Sequence, residues 1–140
     1  MGEAVARAGA VLLCGGLGGV MEAACRGAKR RGGLTVGLLP DATRERANPF
    51  VDVAIATGVG EARNAIVVGG ADAVIAVGGE YGTLSEIALA LRAGKPVVGL
   101  GTWELARGGR VDEGIVRADT PEEAVEVALR LATASSTAAR

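Results

Sequence analysis

A doubly wound, Rossmann-like α/β fold with a parallel sheet is predicted by three observations. Short runs of Val, Leu, Ile and Ala alternate with amphipathic helical patterns along nearly the whole chain, glycine-rich turns close most of the runs, and aromatic residues are almost absent. Hydrophobic residues make up 49% of the chain and aromatics 2%, so the core has to be aliphatic. That composition suits strands covered by helices on both faces, which read as continuous aliphatic runs rather than as alternating patterns.

The elements follow in order. Ala10–Cys14 reads as a buried strand stopped by Gly15-Gly16. A helix from about Gly19 carries Met21, Ala24, Cys25 and Ala28 on one face, has a basic last turn (Lys29, Arg30, Arg31) and closes at Gly32-Gly33. Residues 34–39 form the second strand, ended by Pro40, and a polar loop from Asp41 to Pro49 leads to a third at 51–56. Thr57–Gly60 turns into a helix over about 61–70. Residues 73–77 make a fourth strand, followed by a helix with Leu84, Ile87, Ala88 and Leu91 on its core stripe and Gly94 as terminator. Residues 96–100 are a fifth strand and 114–117 a short sixth. In the last helix Thr120 is the N-cap, Pro121 takes the first helical position and Glu123 completes a capping box. The expected organisation is one domain over residues 1–132 and a small, polar, frayed tail at 133–140.

Composition excludes several classes of function. The net charge of −1 exerts no pull toward nucleic acid or anionic membrane, and one Trp, one Tyr and one Phe give no base-stacking set. No apolar run reaches the length needed to cross a bilayer. There is no His, which removes His-based acid–base catalysis and His-ligated zinc. Cys14 and Cys25 lack metal-ligand spacing, so two buried, reduced thiols and a cytoplasmic setting are expected.

Three motifs carry chemistry. Gly15-Gly16-Leu17-Gly18-Gly19-Val20-Met21 is a strand-to-helix turn in which glycines admit a ligand to the backbone and the helix start attracts an anion. Tight strand–helix packing is the alternative use of those glycines. Gly78-Gly79-Glu80-Tyr81-Gly82-Thr83-Leu84-Ser85-Glu86 has the same context, and two such turns in one small fold argue for a ligand more strongly than one. Thr83 and Glu86 are at capping-box spacing, so capping alone could account for both. Glu80 is unsuited to a simple phosphate loop unless it points away or holds a cation. Arg63, followed by Asn64, sits in a first helical turn, where a cation opposes the macrodipole; it either grips an anion with its guanidinium fork or pairs with Glu61. Asn48-Pro49 reads as loop punctuation, the Lys29–Arg31 cluster as a solvated helix end and Trp103 as a local packing anchor.

Taken in this order, Gly15–Met21, Asn48-Pro49, Thr57–Asn64 and Gly78–Glu86 resemble the Lonely-Guy (LOG-like) superfamily, long labelled lysine decarboxylases. The resemblance runs from about residue 3 to residue 130 and is strongest to the branch that contains the molybdenum-cofactor carrier protein. It implies a homodimer or higher homo-oligomer. Lonely-Guy enzymes are nucleoside 5′-monophosphate phosphoribohydrolases that cleave the N-glycosidic bond. The resemblance would place their catalytic Arg at Arg63 and their Glu at Glu86, to hold the phosphate or ribose and to stabilise an oxocarbenium-like centre. Asn64 stands where those hydrolases have Lys, and Gly78-Gly79-Glu80 where they have Pro-Gly-Gly. Family members also begin with one more strand, so the sheet is expected to lack the family's first strand or the natural protein to start upstream of Met1.

The functional expectation is therefore a binding protein for a phosphorylated small molecule, either a nucleoside monophosphate or a molybdopterin-type cofactor. Its ligand-binding residues would be Gly15, Gly16, Gly18, Gly19, Met21, Arg63, Asn64, Gly78, Gly79, Tyr81, Gly82, Thr83 and Glu86. No metal site, nucleic-acid partner or membrane partner is expected. The alternatives are the phosphoribohydrolase and a non-catalytic assembly protein. Lysine decarboxylation is disfavoured, because no pyridoxal-phosphate lysine motif is present and Lys95 lies just before a strand.

Overall fold

The aliphatic runs form two three-stranded parallel sheets, one in each half of the chain. The computed structural model describes residues 1–138, the side chains of 136 and 138 excepted, and the chain falls into two compact units, Met1–Gly70 and Ala71–Arg140.

The first unit contains α1 (Gly2–Arg7), β1 (Leu12–Cys14), α2 (Val20–Arg30), β2 (Thr35–Leu39), β3 (Val53–Ala56), a 3-10 turn (Gly60–Ala62) and α3 (Arg63–Gly70). Gly2–Arg7 are helical, Ala8 and Gly9 form a turn, and β1 is the first strand. The strand order is β1-β2-β3, with Leu12 opposite Thr35 and Val36 opposite Val53. Central β2 is buried at Thr35, Gly37, Leu38 and Leu39, whereas edge strand β3 leaves Val53 and Ile55 exposed. On α2 the predicted face holds, with Cys25 and Ala28 buried and Met21 and Ala24 half-buried. α1 crosses α2 at small residues: a Cβ at Gly2 would overlap the backbone of Ala24, and one at Gly27 would lie 3.2 Å from the Glu3 nitrogen.

A polar knot fixes the start of the β2–β3 ladder. Thr35, fully buried, donates its hydroxyl to the Phe50 carbonyl at 2.6 Å and accepts from the Asp52 amide at 2.9 Å. The Asp52 carboxylate accepts from the Thr35 amide at 3.0 Å and meets Lys29 Nζ at 2.7 Å. Lys29, expected to be a merely solvated helix end, therefore ties α2 to the sheet.

The second unit contains β4 (Val74–Val77), α4 (Tyr81–Arg92), β5 (Val97–Leu100), β6 (Ala106–Arg107), β7 (Arg110–Val111), β8 (Ile115–Arg117) and α5 (Pro121–Ala138). The sheet order is β4-β5-β8, again parallel, with Val77 opposite Leu100 and Val97 opposite Ile115. Strands β6 and β7 form an antiparallel hairpin closed by Gly108 (φ 57°) and Gly109 (φ 78°), the paired left-handed conformation of a tight hairpin turn. Strands of two residues have no readable periodicity, so the sequence reading passes over them.

The core stripe of α4 also differs from the predicted one. Ile87 and Ala90 are buried while Ala88 is exposed, so the inward face is turned from the predicted stripe toward Ala90. The cap of α5 is built as predicted: the Glu123 amide donates to Thr120 Oγ1 at 3.2 Å, and the Glu123 carboxylate reaches back to the Asp119 amide at 2.8 Å. Where a frayed tail is expected from residue 133, α5 continues to Ala138, with Thr133, Ser135 and Thr137 bonding back to carbonyls four residues earlier. Residues 139–140 of that tail lie outside the described residues.

The Lys29 side chain, and next the Thr35 amide, hold the Asp52 carboxyl below its ordinary pKa. A group depressed in the folded state contributes stability above its unfolded value of 3.8 and loses it as pH falls through the lower folded value. Asp52→Asn is thus expected to unfold at lower urea concentration than the unsubstituted chain at pH 7. The gap should narrow progressively in denaturation series taken at successively lower pH below 3.8.

Candidate functional site

The first glycine turn is held from three sides. Gly15 and Gly16 leave β1 buried, and Gly16 adopts φ 73°. A Cβ on Gly16 would lie 3.1 Å from Gly37 Cα and 3.0 Å from Leu39 Cδ2, so the turn passes against β2 with no room for a side chain. Gly18 and Gly19 are exposed, and Gly19 (φ 66°) is the N-cap of the eleven-residue α2. Its first N–H groups lack intrahelical partners, which makes this end favourable to an anion. Met21 lies in the same first turn, half-buried.

Asn48 fastens this turn from the far loop. Its carboxamide nitrogen donates to Leu17 O at 2.9 Å and Gly16 O at 3.3 Å, and its backbone amide donates to Gly16 O at 2.9 Å. Its side-chain oxygen accepts from the Phe50 amide at 3.0 Å, and the residue is buried. The sequence reading treats Asn48-Pro49 as punctuation; the structure makes Asn48 the clamp of the turn. Its partners are 31 and 32 residues away, beyond any local sequence signal.

Arg63 completes the first cluster. It opens α3 and is only 5% exposed, as is Asn64. A Cβ on Gly15 would lie 2.6–2.7 Å from Arg63 Nη1, Cζ and Nη2, so the guanidinium packs directly on the Gly15 backbone. Arg63 Nη1 donates to Asn64 Oδ1 at 2.7 Å. A cation at the start of α3 is thereby aimed at the glycine turn, the placement that anion binding requires and helix stability alone disfavours. Of the two thiols expected to be buried, Cys25 is buried and Cys14 half-buried; the Cys14 sulfur is 3.6 Å from Cys25 Sγ and accepts from the Gly16 amide at 3.3 Å. The bond shared with Cys25, together with burial, pushes the Cys14 thiol well above the ordinary thiol range, which suits an inert packing role.

In the second unit, β4 runs into Gly78 (φ 55°) and Gly79 (φ 107°), the N-cap is Glu80, and α4 begins at Tyr81. Gly79 is required by contact as well as by backbone conformation, since a Cβ there would overlap the Thr83 side chain. Thr83 occupies the third helical position, so Thr83 and Glu86 are not the capping box that their spacing allowed. Both are half-buried, while Gly79, Glu80, Tyr81 and Gly82 are exposed. Thr102 Oγ1 donates to Gly78 O at 2.5 Å, fastening this turn from the loop after β5. Among the described residues no three metal-ligating side chains gather, and no helix is long and apolar enough to cross a membrane.

The predicted residues thus form two clusters, one per unit. Gly15 and Arg63 with Asn64 are brought into direct contact in the first, and Gly79 and Thr83 in the second. Asn48 and Thr102 are the supports that sequence reasoning missed.

Parallel strands feeding glycine turns that open helices define a Rossmann-like α/β protein. The chain belongs to the SLOG cluster4 family, whose model matches residues 1–125. An uncharacterised protein of Archaeoglobus fulgidus is 52% identical over 125 residues, covering 89% of this chain and 78% of that protein. Among solved structures, the molybdenum cofactor binding protein from the phototrophic bacterium Rippkaea orientalis superposes with a TM-score of 0.82 at 40% identity, covering 92% of this chain and 82% of that one. The molybdenum cofactor carrier protein from Chlamydomonas reinhardtii gives a TM-score of 0.78 at 36% identity, covering 94% and 84%. These likenesses establish the LOG-like, Rossmann-like fold.

Two substitutions test this geometry by urea denaturation. Gly15→Ala should destabilise by about 1–3 kcal/mol through overpacking, and its cost should fall when Arg63 is also changed to Ala; additive losses would contradict the contact. Asn48→Ala leaves buried carbonyls of the turn with fewer donors and should cost about 1–3 kcal/mol.

Proposed function

We propose that this protein binds a phosphorylated, nucleotide-like small molecule, with a molybdopterin-type cofactor as the leading candidate and a nucleoside monophosphate as the other. The observation that carries the reading is the packing of the Arg63 guanidinium on Gly15, next to the free start of α2. A buried guanidinium and a helix N-terminus at one turn supply charge and N–H donors together, as an anion needs. The residues fit such a ligand: Gly18 and Gly19 are exposed and carry no side chain, so a phosphate can reach the backbone at the start of α2. Similar proteins of known structure described as molybdenum cofactor binding and carrier proteins support the cofactor as candidate. Gly78, Gly79, Tyr81, Gly82, Thr83 and Glu86 are proposed as a second ligand-contacting set in their own unit.

Binding is favoured over turnover by Asn64. Its carboxamide engages Arg63 Nη1 where the resembling hydrolases have a second cation, which leaves less positive charge to stabilise a departing ribosyl phosphate. Catalysis through Arg63 and Glu86 would be supported by release of free base from a nucleoside monophosphate, abolished in Glu86→Ala.

Thermal unfolding with molybdopterin-type ligand, GMP, AMP and inorganic phosphate tests the reading. A ligand present at one hundred times its Kd is expected to add about 2.7 kcal/mol of stability. Arg63→Ala should remove that stabilisation and Arg63→Lys retain part of it. Failure of every phosphorylated compound to raise the midpoint would refute the proposal.

A further inference from the structure

Two of the chain's three aromatic residues meet at one end of the second sheet, beside a carboxylate that the phosphate reading leaves unexplained. β4 and β5 are parallel neighbours with Val77 opposite Leu100, so the segments leaving their carboxyl ends emerge side by side. The Thr102 bond to Gly78 O joins them. This sets the Trp103 ring against the Tyr81 ring, with centroids 5.7 Å apart and planes at 38°. Tyr81 is nevertheless 77% exposed, a large ring held in place by Trp103 while most of its surface faces water. The indole N–H of Trp103 is buried and finds no acceptor among the described residues. Glu80, next to Tyr81, is exposed and makes no side-chain capping bond to α4 although it is the N-cap residue.

A carboxylate at this position repels a phosphate and competes with it for the helix start. It is instead well suited to a neutral partner offering two adjacent N–H donors, which its two oxygens accept together. A supported, exposed aromatic ring supplies a stacking face for a planar heterocycle.

We propose that Glu80, Tyr81 and Trp103 form a ring-recognition subsite for a 2-amino-4-oxopyrimidine edge, the chemistry shared by guanine and the pterins. Tyr81 stacks on the ring, Trp103 fixes Tyr81, and Glu80 accepts from the ring N–H and the exocyclic amine. Adenine presents a ring acceptor beside its amine, so the same carboxylate disfavours it. This inference rests on the reading of Gly78–Glu86 above as a ligand-contacting set and gives the ligand of that set its ring class.

Trp103 is the chain's single tryptophan, so its fluorescence reports directly on the subsite in the full chain. GMP, AMP and ribose 5-phosphate are titrated by fluorescence and thermal shift; pterin, which absorbs where tryptophan emits, is titrated by calorimetry beside guanosine. The subsite predicts that GMP alters Trp103 emission and binds about tenfold or more tighter than AMP. Tyr81→Ala should weaken GMP by about tenfold and Tyr81→Phe by less than about threefold. Glu80→Gln, at an exposed position, should erase the preference for GMP over AMP while leaving the unfolding midpoint of the free protein in place. A pterin that binds tighter than guanosine assigns the site to pterins, and the reverse to guanine nucleotides. Equal binding of GMP, AMP and ribose 5-phosphate, unmoved by Tyr81→Ala, would overturn the ring subsite while leaving the phosphate reading intact. Pterin binding with no response to any phosphorylated probe would overturn the phosphate reading and keep the subsite. If no probe binds, both fall.

Discussion

The hydrogen bonds from Asn48 to the carbonyls of Gly16 and Leu17 fix the turn on which the first cluster is built. Backbone that passes so close to β2 cannot be held by side chains of its own, because Gly15 and Gly16 have none. It must be held through its carbonyls, and a carboxamide is a fitting donor because its oxygen can at the same time accept from the Phe50 amide and stay satisfied in a buried position. With the turn fixed, Gly15 offers a flat surface for the Arg63 guanidinium, and Asn64 takes one of its nitrogens. Clamp, turn and cation are consecutive consequences of one tie across the loop.

The second unit repeats the device with different chemistry. There the turn after β4 is fastened through Gly78 O by Thr102, from the loop that follows the neighbouring parallel strand. Parallel pairing explains why such ties recur: neighbouring strands release their loops at the same edge, so the loop of one can fasten the turn of the next. The charged members differ. The first turn is faced by a buried arginine, and the second carries an exposed glutamate beside an exposed tyrosine. That contrast is why the two glycine turns, alike in sequence, are assigned different ligand chemistry.

Small residues allow both arrangements. α1 and α2 approach closely at Gly2 and Ala24, and the Gly79 backbone lies under Thr83. The polar knot of Thr35, Asp52 and Lys29 supplies the fixed register that small side chains alone specify weakly. This chain is thus fastened at a few polar points.

Much of the architecture was legible in the sequence because it depends on local periodicity. Aliphatic runs placed β1, β2, β4, β5 and β8 within a residue or two, and the Thr120–Glu123 cap was readable because its partners are neighbours. The hairpin of β6 and β7 was not, since two-residue strands carry no period, and Ala88 was misplaced because packing, not spacing alone, selects which side of an apolar helix faces inward. The motifs located both glycine turns, Arg63 and Tyr81. Only the tertiary structure decided that Arg63 lies on Gly15, that Asn48 is a clamp, that Thr83 is not a cap and that Trp103 supports Tyr81. Those facts join residues up to 48 positions apart. Sequence fixes what each residue can donate, accept or cover; which partner it meets depends on how parallel strands bring distant loops to one edge of a sheet.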